Sequence, residues 1–128
     1  MNSERKVLIV DDAVFMRTVL KRIIREAGGY GICEAPDGET ALELYEKEKP
    51  GLVLLDISMP GMNGIETLKE IRKTDGEAFV IMCSAIGQEA MIREAIDNGA
   101  RDFIVKPFKA EQILETLALA FQNEEPGV

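Results

Sequence analysis

Leu52-Val53-Leu54-Leu55-Asp56 decides the fold: four apolar residues in a row, then a carboxylate. The run shows no apolar–polar alternation, so it does not read as a strand with one wet face. A short run that is apolar at every position suits a strand of a parallel sheet covered on both faces. Three further runs have this form: Val7–Val10, Phe79–Cys83 and Phe103–Val105. Each leads into polar chemistry. Asp11 and Asp12 follow the first, Ser84 the second, and Lys106-Pro107 the third. A weaker candidate, Tyr30–Ala35, contains Gly31 and Glu34 and reads as an edge strand.

Between the runs, apolar residues recur at helical spacing. Phe15, Val19, Ile23 and Ala27 line one face of a first helix, which Gly28-Gly29 stops. Ala41, Leu44 and Tyr45 mark a second, with Asp37 placed to N-cap it and Pro50 beyond its end. Ile65, Leu68 and Ile71 mark a third, where Asn63 and Glu66 have the spacing of a capping box. Ile92, Ala95, Ile96 and Gly99 mark a fourth, and Ile113, Leu117, Ala120 and Phe121 a fifth. Strand and helix thus alternate five times, with strands beginning about every 20–27 residues. That alternation predicts an α/β domain: a doubly wound parallel sheet with right-handed crossovers. One domain is expected over residues 1–122, with a frayed tail at 123–128.

Composition narrows the chemistry. The 128 residues carry a formal net charge of -8, which disfavours nucleic-acid binding because that runs on neutralising phosphates. Acidity suits cation binding and basic partner surfaces. No apolar run approaches a membrane span, and the polar stretch Met1–Lys6 does not read as a signal peptide, so a cytoplasmic protein is expected. Cys33 and Cys83 form no CxxC pair and read as reduced core thiols. The sequence contains no histidine. Histidine acid–base catalysis and His-containing zinc sites are therefore excluded.

In an open α/β sheet, ligands bind at the carboxyl ends of the strands. Asp11, Asp12, Asp56, Ser84 and Lys106 all fall there. Asp11, Asp56, Ser84 and Lys106 are 45, 28 and 22 residues apart in sequence. Carboxylates gathered in one pocket repel each other, and some take up protons unless a cation neutralises them. Mg2+ is usually held by one or two carboxylates, waters and a phosphate, which leaves another carboxylate free as a nucleophile. Lys106 can meet a phosphoryl oxygen as a point charge, and Ser84 can donate a hydrogen bond. These are the parts that phosphoryl transfer needs. Taken singly, each has a plainer reading. Asp12 alone reads as an N-cap, Asp11 as a solvated strand end, and Ser84 as a turn residue. Their joint occurrence at strand ends favours a site.

The stretches LIVDD (Leu8–Asp12), LLDISMPGMNG (Leu54–Gly64), CSA (Cys83–Ala85) and DFIVKPF (Asp102–Phe108) resemble the signature of response-regulator receiver domains, the CheY-like family. The resemblance spans nearly the whole chain and implies the flavodoxin-like (βα)5 strand order 2-1-3-4-5. It implies Asp56 as phosphoacceptor, with Asp11, Asp12, Asp56 and the Ser58 carbonyl holding Mg2+. It implies Ser84 as the hydroxyl that moves to the phosphoryl group. Lys106 is implied as its lysine partner, with a cis bond before Pro107. Phe103 would be the aromatic switch. Lacking a hydroxyl, it would act by burial alone.

The resemblance further implies a switch rather than an enzyme. It would be charged by a histidine kinase, catalyse only its own phosphorylation and dephosphorylation, and signal by protein contact. The implied contact face is the fourth helix, fifth strand and fifth helix. FMR (Phe15–Arg17), MCSAIGQ (Met82–Gln88) and DFIVKPF resemble chemotaxis-type receivers, so a flagellar motor switch protein or another downstream protein is the expected target. Two alternatives stay open. One is a sporulation-type phosphorelay intermediate. The other is a small Mg2+ phosphatase of haloacid-dehalogenase type with its nucleophile after the first strand. Such phosphatases space two acids as DxD, whereas Asp11 and Asp12 are adjacent.

Overall fold

The computed structural model describes residues 5–122, so the tail expected at 123–128 lies outside the described residues. Five strands, β1 (Arg5–Val10), β2 (Tyr30–Ala35), β3 (Leu52–Asp56), β4 (Val80–Ser84) and β5 (Asp102–Val105), alternate with five helices. The helices are α1 (Val14–Ala27), α2 (Gly38–Glu48), α3 (Gly64–Thr74), α4 (Glu89–Asp97) and α5 (Ala110–Ala120). All strand pairings are parallel, and the order is β2-β1-β3-β4-β5.

The unbroken apolar runs have a simple cause. Successive side chains of a strand point to opposite faces, and both faces are covered. Leu8, Val10, Val53, Leu55, Val80 and Met82 pack with Tyr45, Leu68 and Ala95 from α2, α3 and α4. Their neighbours Val7, Ile9, Leu52, Leu54, Ile81 and Cys83 pack with Leu20, Ile24, Ile113 and Leu117 from α1 and α5. The thiols are free, Cys83 buried and Cys33 half-buried, and burial pushes the Cys83 thiol up to about 12.

The caps behave as their chemistry predicts. Asp37 accepts from the Thr40 N–H at 2.8 Å, and Asn63 and Glu66 form a complete capping box. Gly28 ends α1 with φ 80°, a conformation that side chains disfavour.

Three expectations need correction. α1 buries Leu20 and Ile24 most fully; of the expected stripe, Ile23 packs against the core and Val19 is half-buried, while Phe15 and Ala27 are exposed. Phe15 is 73% exposed. The helix is apolar over a wide arc, and packing against the sheet and α5 selects which part turns inward. Similarly, β5 is not buried on both faces. It is the sheet edge opposite β2, with Ile104 inside and Phe103 41% exposed. On α4, Ala95 is buried but Ile96 faces solvent. Among the described residues, no helix is long and apolar enough to cross a membrane.

Candidate functional site

The parallel register brings the polar residues at the strand ends together. Asp11 leaves β1 and Asp56 ends β3, while Asp56 pairs with Cys83 and Ser84 with Val105 across the sheet. Lys106 follows β5, and its peptide bond to Pro107 is cis. Carboxylate oxygens of Asp11, Asp12 and Asp56 lie within 4.8 Å of one another. Lys106 Nζ reaches Asp11 Oδ2 at 3.1 Å and Asp56 Oδ1 at 3.4 Å. The Ser58 N–H also donates to Asp56 Oδ1, at 3.2 Å.

The plainer single-residue readings do not hold. α1 is N-capped by Ala13 with no side-chain bond, so Asp12 is no cap. Asp11 is buried, not a solvated strand end. Ser84 is a fully buried strand residue. Its Oγ has no hydrogen-bond partner among the described residues, which costs about 1–3 kcal/mol for a buried polar group.

Electrostatics bears the same mark. Burial first, then repulsion from Asp11, push the Asp56 carboxyl up from 3.8 to about 6, while Lys106 and the Ser58 amide oppose the shift. Burial works to lower the Lys106 ammonium, but the Asp56 and Asp11 charges outweigh it and leave it raised. The crowding of like charges argued from the sequence is therefore real. A cluster of three carboxylates with no nitrogen or sulfur donor fits a hard divalent cation such as Mg2+ or Ca2+ rather than a soft transition metal.

Two residues given no role in the sequence reading shape this pocket. A Cβ on Gly64 would lie 2.1 Å from the Asp56 carbonyl oxygen and 2.7 Å from Ile57 Cα. Only glycine lets the start of α3 close against the Asp56 end of β3. Its quoted place in LLDISMPGMNG was the available signal. Arg17 donates to the Asp11 carbonyl oxygen at 2.6 Å, a contact between α1 and the end of β1 that periodicity does not signal. Phe103 lies away from the cluster, between a groove reaching Leu119 and another reaching Ile86 and Ile92.

Fold and site together define a class: a flavodoxin-like α/β domain with an acidic, lysine-bearing pocket at the carboxyl ends of its strands. Residues 7–118 match the response regulator receiver domain, and the chain belongs to that family. The chemotaxis protein CheY of Thermotoga maritima is 54% identical over 113 residues, which is 88% of this chain and 94% of that protein. The receiver domain of NtrX from Brucella abortus superposes with a TM-score of 0.85 at 36% identity, covering 91% of this chain and 98% of that one. A chain of the CheX-CheY-BeF3-Mg+2 complex from Borrelia burgdorferi superposes with a TM-score of 0.83 at 39% identity, covering 91% of this chain and 88% of that one. The chain is thus a phosphorylation-activated response regulator of the chemotaxis type, a signalling switch rather than an enzyme that turns over a separate substrate.

Proposed function

We propose that Asp56 accepts a phosphoryl group from the phosphohistidine of a histidine kinase, and that Asp11, Asp12, Asp56 and the Ser58 carbonyl hold the Mg2+ this transfer needs. The observation that carries the reading is the buried Asp56 carboxylate, crowded by Asp11 and Asp12 and faced by Lys106 at 3.4 Å. Asp56 Oδ1 is engaged by both Lys106 and the Ser58 amide, which leaves Oδ2 for the phosphorus. The N–P bond of the donor breaks as the O–P bond forms, and a donor imidazole already protonated on its other ring nitrogen leaves as neutral histidine. When bound, Mg2+ neutralises charge on the phosphoryl oxygens. Lys106 supplies a fixed positive charge beside them.

Ser84 supplies the response. Its Oγ has no hydrogen-bond partner among the described residues, so a phosphoryl oxygen on Asp56 gives it one. As Ser84 moves, it vacates space beside β5, and the exposed Phe103 turns in. The signal leaves through the face formed by α4, β5 and α5. We assign the target to the flagellar motor switch, because the near relatives are chemotaxis proteins, and we place the protein in the cytoplasm. Acetyl phosphate with Mg2+ tests the chemistry directly. Intact-mass measurement should show one phosphoryl group on wild type and none on Asp56→Asn. Full labelling of Asp56→Asn, with loss in Asp11→Asn, would instead favour a nucleophile after β1.

A further inference from the structure

Arg17 reaches from the first turn of α1 to the wall behind the acidic cluster. Its Nη1 donates to the carbonyl oxygen of Asp11 at 2.6 Å, and its Nε to Glu34 Oε1 on β2 at 2.8 Å. The other Glu34 oxygen accepts from Lys21 Nζ at 2.7 Å. These bonds engage Nε and Nη1 of the guanidinium, and the side chain of Arg17 is only 14% exposed.

The carbonyl it holds belongs to the peptide unit that joins Asp11 to Asp12. That unit is planar and rigid, so fixing its oxygen fixes the direction in which the chain enters Asp12. The remaining polar groups of Asp11 are held as well. Its N–H donates to Ala35 O at 3.1 Å, Oδ1 accepts from the Ala13 N–H at 2.9 Å, and Oδ2 faces Lys106 at 3.1 Å. Asp12 is exposed, so its aim depends on the peptide behind it.

We propose that Arg17 is a positioning residue for the divalent cation. It clamps the Asp11–Asp12 peptide so that both carboxylates face Asp56 before an ion arrives. The inference rests on reading the Asp11–Asp12–Asp56 cluster as a metal site. A guanidinium near such a site also repels a cation. Here the Glu34 carboxylate, which Arg17 shares with Lys21, offsets part of that charge at 2.8 Å, and the clamp on the peptide is the effect expected to dominate. Outer groups that orient metal ligands typically cost about 10–100-fold in affinity when removed. Arg17 acts through a backbone oxygen, so the lower end, about tenfold, is expected for Arg17→Ala.

Calorimetric titration of Mg2+ alone into the full chain tests this, alongside unfolding temperatures measured without Mg2+. Wild type binds, Asp12→Ala binds weakly, and Arg17→Ala loses about tenfold. Arg17→Lys keeps the charge but can serve only one of the two acceptors, so it falls between wild type and Arg17→Ala. If both Arg17 variants bind Mg2+ like wild type while melting earlier, Arg17 is merely structural and the inference is overturned. Tighter binding by Arg17→Ala overturns it as well, since charge repulsion would then outweigh the clamp. Should Arg17→Ala fail to fold, Arg17→Lys decides on the same criterion. No Mg2+ binding by wild type removes the metal reading itself, a result distinct from an unaffected Arg17 variant.

Discussion

The two ends of the sheet are built from the same strands and solve their polar chemistry in opposite ways. At the amino end the polar side chains are matched. Tyr45 donates to Asp75 Oδ2 at 2.7 Å, and Lys6 meets Glu48 at 2.7 Å. At the carboxyl end, three carboxylates crowd within 4.8 Å of one another, the Asp56 carboxyl is pushed up to about 6, and the buried Ser84 hydroxyl has no partner among the described residues. A fold that satisfies one end and leaves the other discontented keeps its stability apart from its switch. The discontented groups are those that a cation and a phosphoryl group would satisfy.

The sharpest way to break that comparison is Asp56→Asn. Labelling by acetyl phosphate should vanish, because an amide is not a competent nucleophile. The same change should stabilise the metal-free protein at neutral pH. Folded Asp56 titrates at about 6 against 3.8, so between those values the native state holds more protons than the unfolded chain. Stability therefore falls as pH rises through that window. Removing the charge should recover about 1–2 kcal/mol, discounted for the water that still reaches the carboxyl. Urea unfolding of both proteins at pH 4 and pH 7.5 checks it. An unchanged pH dependence in Asp56→Asn would show that Asp56 is not the strained group.

Asp12→Ala comes next. Mg2+ affinity should drop at least tenfold, as a ligand ought to matter no less than the groups that orient ligands. An unaltered calorimetric titration would remove Asp12 from the cation site.

The switch elements should separate chemistry from signalling. Ser84→Ala and Phe103→Ala should both be phosphorylated at Asp56. Each should then bind the downstream partner about tenfold more weakly than phosphorylated wild type, since burial of an aromatic side chain contributes at most about 1.5–3 kcal/mol. Equal partner affinity for phosphorylated Phe103→Ala and wild type would move the output elsewhere, such as the loop from Ala85 to Gln88.

The smallest effect belongs to the satisfied end. Tyr45→Phe removes the hydrogen bond to Asp75 and should cost about 0.5–1.5 kcal/mol. Phosphorylation rate and Mg2+ affinity should stay as in wild type. A change in either would mean that the two ends are coupled after all.

Much of this was legible in the residues themselves. Buried strands betray themselves by lacking alternation, Asp37 and Asn63 cap because of what lies three residues on, and strand ends collect chemistry in any parallel sheet. Those are local rules, and Asp11, Asp56, Ser84 and Lys106 follow from them. Sequence alone determined the element order, the caps of α2 and α3, and which polar residues stand at the carboxyl ends of the strands. Only the tertiary structure decided which arc of α1 turns inward, because Phe15 and Leu20 are equally apolar and only the neighbouring sheet and α5 distinguish them. It left Phe103 of β5 half exposed, since an apolar run does not tell a strand covered on both faces from one at the sheet edge. It also left Ser84 Oγ without a partner among the described residues and set Arg17 behind Asp11, because a hydrogen bond is a relation between two positions in space and no spacing along the chain encodes it.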